Sequence, residues 1–177
     1  DNQVPLTVKD GGGTFFRFKE ESYTLAEIYR KQAEEKLNEV VKVDLFANPR
    51  NAVAYPHGSR KNSAWWYDWG KFERLLWCNP PFQHLERCLA KVALERPRIL
   101  LCTPDWGRDC KWREILDRLT KWRIVIEDTD GLFLNDAGKP LRAPGWNVHV
   151  SYIDGSNEIN STELQEFVCK TIKGRLI

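Results

Sequence analysis

An α/β fold, with a mixed, mostly parallel sheet and helices on both faces, follows from three features of the chain. Short β-branched or wholly apolar runs alternate with amphipathic segments through most of its length. One run, Ile99-Leu100-Leu101-Cys102, is apolar without interruption, as a strand covered by helices on both faces must be. Polar and proline-bearing residues arrive directly after several runs, where a doubly wound sheet collects its ligands beyond the carboxyl ends of the strands.

Each element has its own signal. Gly11-Gly12-Gly13 separates a polar arm from Thr14-Phe15-Phe16-Arg17-Phe18, whose alternation predicts a short edge strand. Residues 1–13 are expected to be a flexible arm on a single domain spanning 1–177. The glycines lack the G-x-G-x-x-G context, so they are a linker and not a phosphate loop. Thr24 and Glu27 form a capping box that predicts a helix to about Asn38, with Leu25, Ile28, Tyr29 and Leu37 on its inner face. Val40 to Phe46 is a β-branched strand. A loop with Pro49, Pro56 and Gly58 leads into a tryptophan-rich segment and then to the strand Leu75-Leu76-Trp77-Cys78, ending at Asn79.

After Phe82 a helix is expected to run to about Glu95, since Leu85, Cys88, Leu89, Val92 and Ala93 recur at helical spacing. The strand at Ile99 stops at Thr103-Pro104. Trp112 to Trp122 suits another helix and Ile124-Val125-Ile126 another strand. Asn135-Asp136-Ala137-Gly138 is a turn between Leu132-Phe133-Leu134 and a later strand from Asn147 to Ile153. A last helix begins near Asn160 or Ser161 and packs through Leu164, Phe167, Val168 and Ile172. The closing strands are antiparallel, which gives the sheet its mixed edges.

Composition narrows the function classes. The net charge of +2 excludes a histone-like binder, although Arg50, Arg60 and Lys61, and then Arg108, Lys111 and Arg113, form two local basic loops able to meet phosphates. Acidic neighbours such as Asp105 and Asp109 leave a merely solvated loop equally open. No stretch is long and apolar enough for a bilayer, and no signal peptide opens the sequence. The five cysteines, Cys78, Cys88, Cys102, Cys110 and Cys169, have no C-x-x-C spacing. Buried free thiols in a reducing compartment, nucleus or cytoplasm, are therefore expected in place of zinc or disulfides. A chain without methionine that begins at Asp1 is expected to be part of a larger polypeptide. Among eight tryptophans, Trp65, Trp66 and Trp69 fall together in a loop-like segment and are candidates for a stacking wall.

The most informative stretch is Asn79-Pro80-Pro81-Phe82. A planar exocyclic amine is a poor nucleophile because its lone pair is delocalised, so a site that alkylates it must accept both N–H hydrogens and reorient that lone pair. The Asn79 side-chain oxygen is one acceptor and the Pro80 carbonyl a second; Pro80 and Pro81 fix φ and bring no competing N–H, and Phe82 offers a ring for a flipped base. No metal is needed. The structural alternative is a turn in which Asn79 caps a helix and a proline fills its first turn. Asp44 has two roles open to it, bonding a cofactor hydroxyl or amine, or capping the Asn48-Pro49-Arg50-Asn51 turn. Asp68 is divided the same way, with the turn before Gly70 slightly preferred.

The tetrapeptide resembles motif IV, (D/N/S)-P-P-(Y/F), of the S-adenosylmethionine-dependent amino methyltransferases. The ordered set is more specific: a helix, Val43-Asp44-Leu45-Phe46-Ala47-Asn48-Pro49-Arg50-Asn51-Ala52, Trp66-Tyr67-Asp68-Trp69, Trp77 to Phe82, a helix, and Leu100 to Trp106. This order is similar to the small phage-type DNA N6-adenine methyltransferase (Dam) family, and closest to the Dam-like domains of retrotransposon polyproteins. It covers roughly Tyr23 to Trp122. The resemblance implies a Rossmann-like S-adenosylmethionine-dependent methyltransferase fold and in-line methyl transfer to adenine N6 in DNA. It places Asp44, Phe46, Ala47, Asn48, Asp68 and Asn79 at the cofactor, with Asn79, Pro80, Pro81 and Phe82 holding the base. Phe82, Trp106, Arg108 and Lys111 line the substrate cleft. The chain departs from the family at Tyr23-Thr24, where the phage-type proteins have Thr-Pro, at Ser63, where an acidic residue is common, and after Asp44, where no glycine-rich loop follows. These departures keep two alternatives open: a catalytically degenerate nucleic-acid-binding module of a mobile element, or a methyltransferase for RNA adenine or another planar amine.

Overall fold

The computed structural model describes residues 23–47, 51–59, 62–155 and 162–173. The arm at 1–13, the Thr14–Phe18 strand, Asn48, Arg50, Arg60, Lys61, the start of the last helix at Asn160 or Ser161 and the Ile172 side chain lie outside the described residues. The described elements are β1 (Tyr23–Leu25), α1 (Glu27–Leu37), β2 (Val43–Asp44), β3 (Leu76–Cys78), α2 (Leu85–Glu95), β4 (Arg98–Pro104), α3 (Lys111–Leu119), β5 (Thr120–Ile126), β6 (Phe133–Asn135), β7 (Val148–Asp154) and α4 (Thr162–Lys173).

The architecture is α/β with mixed strand directions. A five-stranded sheet has the order β2-β3-β4-β7-β5, and β1 pairs with β6 in a separate ribbon. β2, β3 and β4 are parallel, whereas β7 runs antiparallel to both of its neighbours, β4 and β5. Parallel pairing of β2, β3 and β4 brings the carboxyl ends of all three to one edge of the sheet. Alternation then separates its two faces. On one, Ile153 lines a small cavity with Val92 of α2, Leu119 of α3 and Leu164 of α4. On the other, Lys36 of α1 lies 5.2 Å from the centre of the Trp122 ring, which packs 5.3 Å from Tyr152. Helices thus cover both faces, but β2 and β3 are joined by two 3-10 turns, Ala64–Trp66 and Trp69–Phe72, in place of an α-helical crossover.

Several expected elements are corrected. Thr24 does not cap α1: it lies in β1 opposite Leu134, and the N-cap is Ala26, which offers no side-chain acceptor. Strand pairing at Thr24 and Leu25, reinforced by the Ala26 N–H on the Leu132 carbonyl at 2.9 Å, overrides the local capping signal. Ile28 is exposed, and α1 instead buries Ala33 and Glu34. Glu34 belongs inside because it accepts Arg30 at 2.7 Å and the Val41 N–H at 2.8 Å, tying the helix to the start of the sheet. The strand expected over Val40–Phe46 shrinks to Val43–Asp44. Trp122 leaves the expected helix because α3 ends at Leu119 and β5 begins at once, placing the Trp122 ring against Tyr152. The Leu132–Leu134 run pairs with β1 and not with β7.

Candidate functional site

Asn79 follows β3 and is 9 % exposed, yet its Oδ1 has no hydrogen-bond partner among the described residues. It caps nothing: Pro81 is the N-cap of the 3-10 turn Phe82–His84, and His84 that of α2. Proline removes the backbone donors at positions 80 and 81, the N–H groups that would otherwise follow Asn79 directly. The other acceptor foreseen here, the Pro80 carbonyl, is already engaged. The Tyr23 hydroxyl donates to it at 3.1 Å, leaving one of its two lone pairs.

Asp44 ends β2 on the neighbouring strand, in register with Trp77, and is 2 % exposed. Its Oδ2 accepts the Val53 N–H at 3.0 Å, whereas its Oδ1 has no partner among the described residues. Burial pushes its carboxyl from 3.8 up to about 7, against the opposing pull of the Val53 and Phe46 N–H groups and of Arg30. Asp44 Oδ1 and Asn79 Oδ1, both buried and without a hydrogen-bond partner among the described residues, therefore stand at the ends of adjacent parallel strands.

The turn after Asp44 is closed by a glycine that arrives later in the chain. Gly58 donates to the Asp44 carbonyl at 2.6 Å and accepts the Ala47 N–H at 2.9 Å, and a Cβ at Gly58 would overlap the Leu45 carbonyl. The close approach here is between Gly58 and the chain's own Leu45 carbonyl, and the sequence marks Gly58 only as a residue of the loop leading to the tryptophan-rich segment. Gly58→Ala is expected to destabilise the protein by about 1–3 kcal/mol, read as a lower urea midpoint; an unchanged midpoint would show that the loop over Asp44 yields freely.

Aromatic rings close the rim. Phe82 is 5 % exposed and meets Tyr23, Trp106 and Trp146 at 6.0, 5.5 and 6.1 Å, each edge to face. Its ring is therefore part of the core, and Phe82 does not offer the open face expected of it. The 3-10 turn that begins at Phe82 tucks the ring inward. Trp106, 41 % exposed, is the ring that reaches solvent beside it. Trp106 is held by the Asp105 turn: Asp105 Oδ1 accepts the Gly107 N–H at 3.2 Å and Arg113 at 2.7 Å, and Oδ2 lies 3.5 Å from His149 Nε2. Burial pushes Asp105 upward, but the Gly107 N–H, His149 and Arg113 outweigh it and hold the carboxyl below its usual range. Burial holds the His149 imidazole below its ordinary value, helped by Arg123 and Arg113. Asp105 and His149 are far apart in the chain and meet only through the β4–β7 pairing.

The remaining expected residues divide. Ala47 is buried, and Phe46 packs its ring 5.3 Å from Trp65. Asp68 is not at the rim. It accepts the Gly70 N–H at 3.0 Å beside the carboxyl end of α2, where the Trp69 N–H meets Glu95 at 2.7 Å, because this segment runs down the length of the helix. Its turn role is the one observed. Trp69 is core, with its Nε1 on the Ala64 carbonyl at 3.0 Å, and Trp65 stacks on it beneath Arg87, so of the expected wall only Trp66 is largely open to solvent. Arg108 and Lys111 are exposed near Trp106, while Arg113 is neutralised by Asp105 and Asp117.

Cys78, Cys88 and Cys102 are free and buried, Cys110 is half-buried and Cys169 exposed. Among the described residues no group of three or more potential metal ligands occurs, and no helix is long and apolar enough to cross a membrane. What these observations define is an α/β protein with a mixed sheet whose parallel strands end in unsatisfied buried acceptors. No protein-family model matches the chain, and no curated protein matches it.

Proposed function

We propose that the chain is an S-adenosylmethionine-dependent methyltransferase acting on the N6 amino group of adenine in DNA, on a Rossmann-like methyltransferase fold. The observation that carries this reading is the pair of buried oxygens, Asn79 Oδ1 and Asp44 Oδ1, left without donors among the described residues at the ends of adjacent strands. A buried acceptor without a donor costs roughly 1–3 kcal/mol, and an amine-bearing ligand is the natural source of the missing hydrogens.

Asn79 would accept one N–H of the adenine amine and the remaining lone pair of the Pro80 carbonyl the other, turning the nitrogen lone pair out of the ring plane. Trp106 would stack on the base, and the Phe82-Trp106-Trp146 edges would exclude water. Asp44, ionised above about pH 7, suits a cationic amine such as that of S-adenosylmethionine, which when bound supplies an electrophilic methyl on sulfonium. Phe46 and Ala47 would line the cofactor side. Arg108 and Lys111 would meet the phosphates.

One observation favours a competing reading, the degenerate nucleic-acid-binding module. The Ala47–Gly58 pairing closes the turn after Asp44 without a glycine-rich loop. Calorimetric titration of S-adenosylmethionine into wild type and Asp44→Ala separates the two. Saturable binding by wild type that Asp44→Ala abolishes supports the methyltransferase, and labelled-methyl assays on DNA and RNA then identify the acceptor. Absence of binding by wild type would overturn it in favour of the module.

A further inference from the structure

The loop Asn79–Phe82 has a mechanical weakness. Pro80 and Pro81 carry no N–H, so this stretch cannot fasten itself through its own donors and must be held through its carbonyls and rings. Tyr23 does both. Its buried hydroxyl donates to the Pro80 carbonyl at 3.1 Å across 57 positions of sequence, and its ring meets Phe82 at 6.0 Å. The phenol is itself fixed, since β1 pairs with β6 through Tyr23↔Asn135 and its ring packs edge-on against Phe133 at 5.1 Å. The ribbon β1–β6 is separate from the main sheet, so this contact ties the two sheets together at the site.

We propose that Tyr23 is a positioning residue for the amine-holding loop: its hydroxyl sets the direction of the Pro80 carbonyl and thereby the aim of Asn79. This rests on the reading that Asn79 and Pro80 hold an amine. Burial drives the Tyr23 phenol well above its ordinary value, so it stays a proton donor throughout the neutral range. One Pro80 lone pair is spent on Tyr23 and the other points elsewhere, a division that a carbonyl with no fixed partner would not have. Small displacements at a reacting centre lower turnover steeply, while distant ligand contacts are unaffected.

Tyr23→Phe is the test, because it keeps the ring, and with it the ring-current environment, and removes only the donor. Two readouts are taken on the folded protein: the Asn79 side-chain amide resonances in 15N–1H spectra, assigned by their loss in Asn79→Ala, and methyl transfer to DNA under saturating S-adenosylmethionine. The expected result is a displaced or broadened Asn79 resonance, with kcat lowered roughly 3- to 10-fold and the calorimetric affinity for S-adenosylmethionine unchanged. An Asn79 resonance that stays in place, or full turnover with only a lower melting temperature, would reduce Tyr23 to a structural fastener and overturn the proposal. If wild type transfers no methyl, the methyltransferase reading fails by itself, and the Asn79 resonance alone then decides whether Tyr23 positions the loop.

Discussion

Asp44→Asn is expected to make the protein more stable at pH 8 by about 2 kcal/mol, and, on the proposed function, to weaken binding of S-adenosylmethionine. The carboxyl lies at 3.8 when free and at about 7 when folded, an interval worth about 4 kcal/mol at roughly 1.4 kcal/mol per tenfold change in proton affinity. Because the folded value is the higher one, the native state holds the proton more tightly than the unfolded chain. Stability therefore declines as pH rises from about 4 to about 7, and the whole penalty of a buried carboxylate is present above that. Asparagine keeps an acceptor for the Val53 N–H and removes the charge, but it places N–H groups where Oδ1 had no partner, so only part of the interval is recovered.

Urea midpoints of wild type and Asp44→Asn at pH 5 and pH 8 check this. The gain should be clearly larger at pH 8; a gain independent of pH would show that Asp44 is not the buried acid described. The comparison must be made between variants. His149 is held below its ordinary value, so in both proteins stability is lost as pH falls through 6.5, opposite in sign to Asp44. Taking the difference between wild type and variant at each pH cancels that contribution.

Asn79→Ala carries the second large effect. Loss of one preorganised hydrogen-bonding group at a reacting centre lowers turnover by about 100- to 1000-fold. The same substitution should change stability by less than about 1 kcal/mol, because Oδ1 makes no hydrogen bond to a described residue that truncation would break. Methyl transfer and urea unfolding of the same preparation test both halves. Background turnover equal to wild type would remove Asn79 from the chemistry. A large loss of stability would mean that its oxygen is satisfied in the folded protein. Asp44 and Asn79 thus share one feature, a buried oxygen for which the described residues supply no hydrogen-bond donor.

Much of the sheet was legible in the chain itself. The strand over Ile99–Cys102, the helix after Phe82 to about Glu95 and the strand Leu75–Cys78 before the tetrapeptide follow from local pattern, and β4, α2 and β3 lie there with α2 starting at Leu85 and β3 at Leu76. Side chains at regular spacing decide such elements before any long-range contact forms. The local rules failed where pairing partners were remote. Thr24 is a good cap by its neighbours, but the β6 strand more than 100 residues away draws it into β1. Phe82 has the composition of an open stacking ring, but Tyr23, Trp106 and Trp146, which converge from three other segments, enclose it.

The division between sequence and structure is therefore physical. The chain by itself determined the alternation of helix and strand, and that Asp44, Asn79 and Thr103 follow apolar runs. Tertiary structure alone decided what surrounds them. It spends one lone pair of the Pro80 carbonyl on Tyr23, closes the Asp44 turn with Gly58 and carries Asp68 to the far end of α2. It also decided that Asp44 Oδ1 and Asn79 Oδ1 find no donor among the described residues, because whether a buried acceptor finds a donor depends on every segment packed around it and on no spacing within its own.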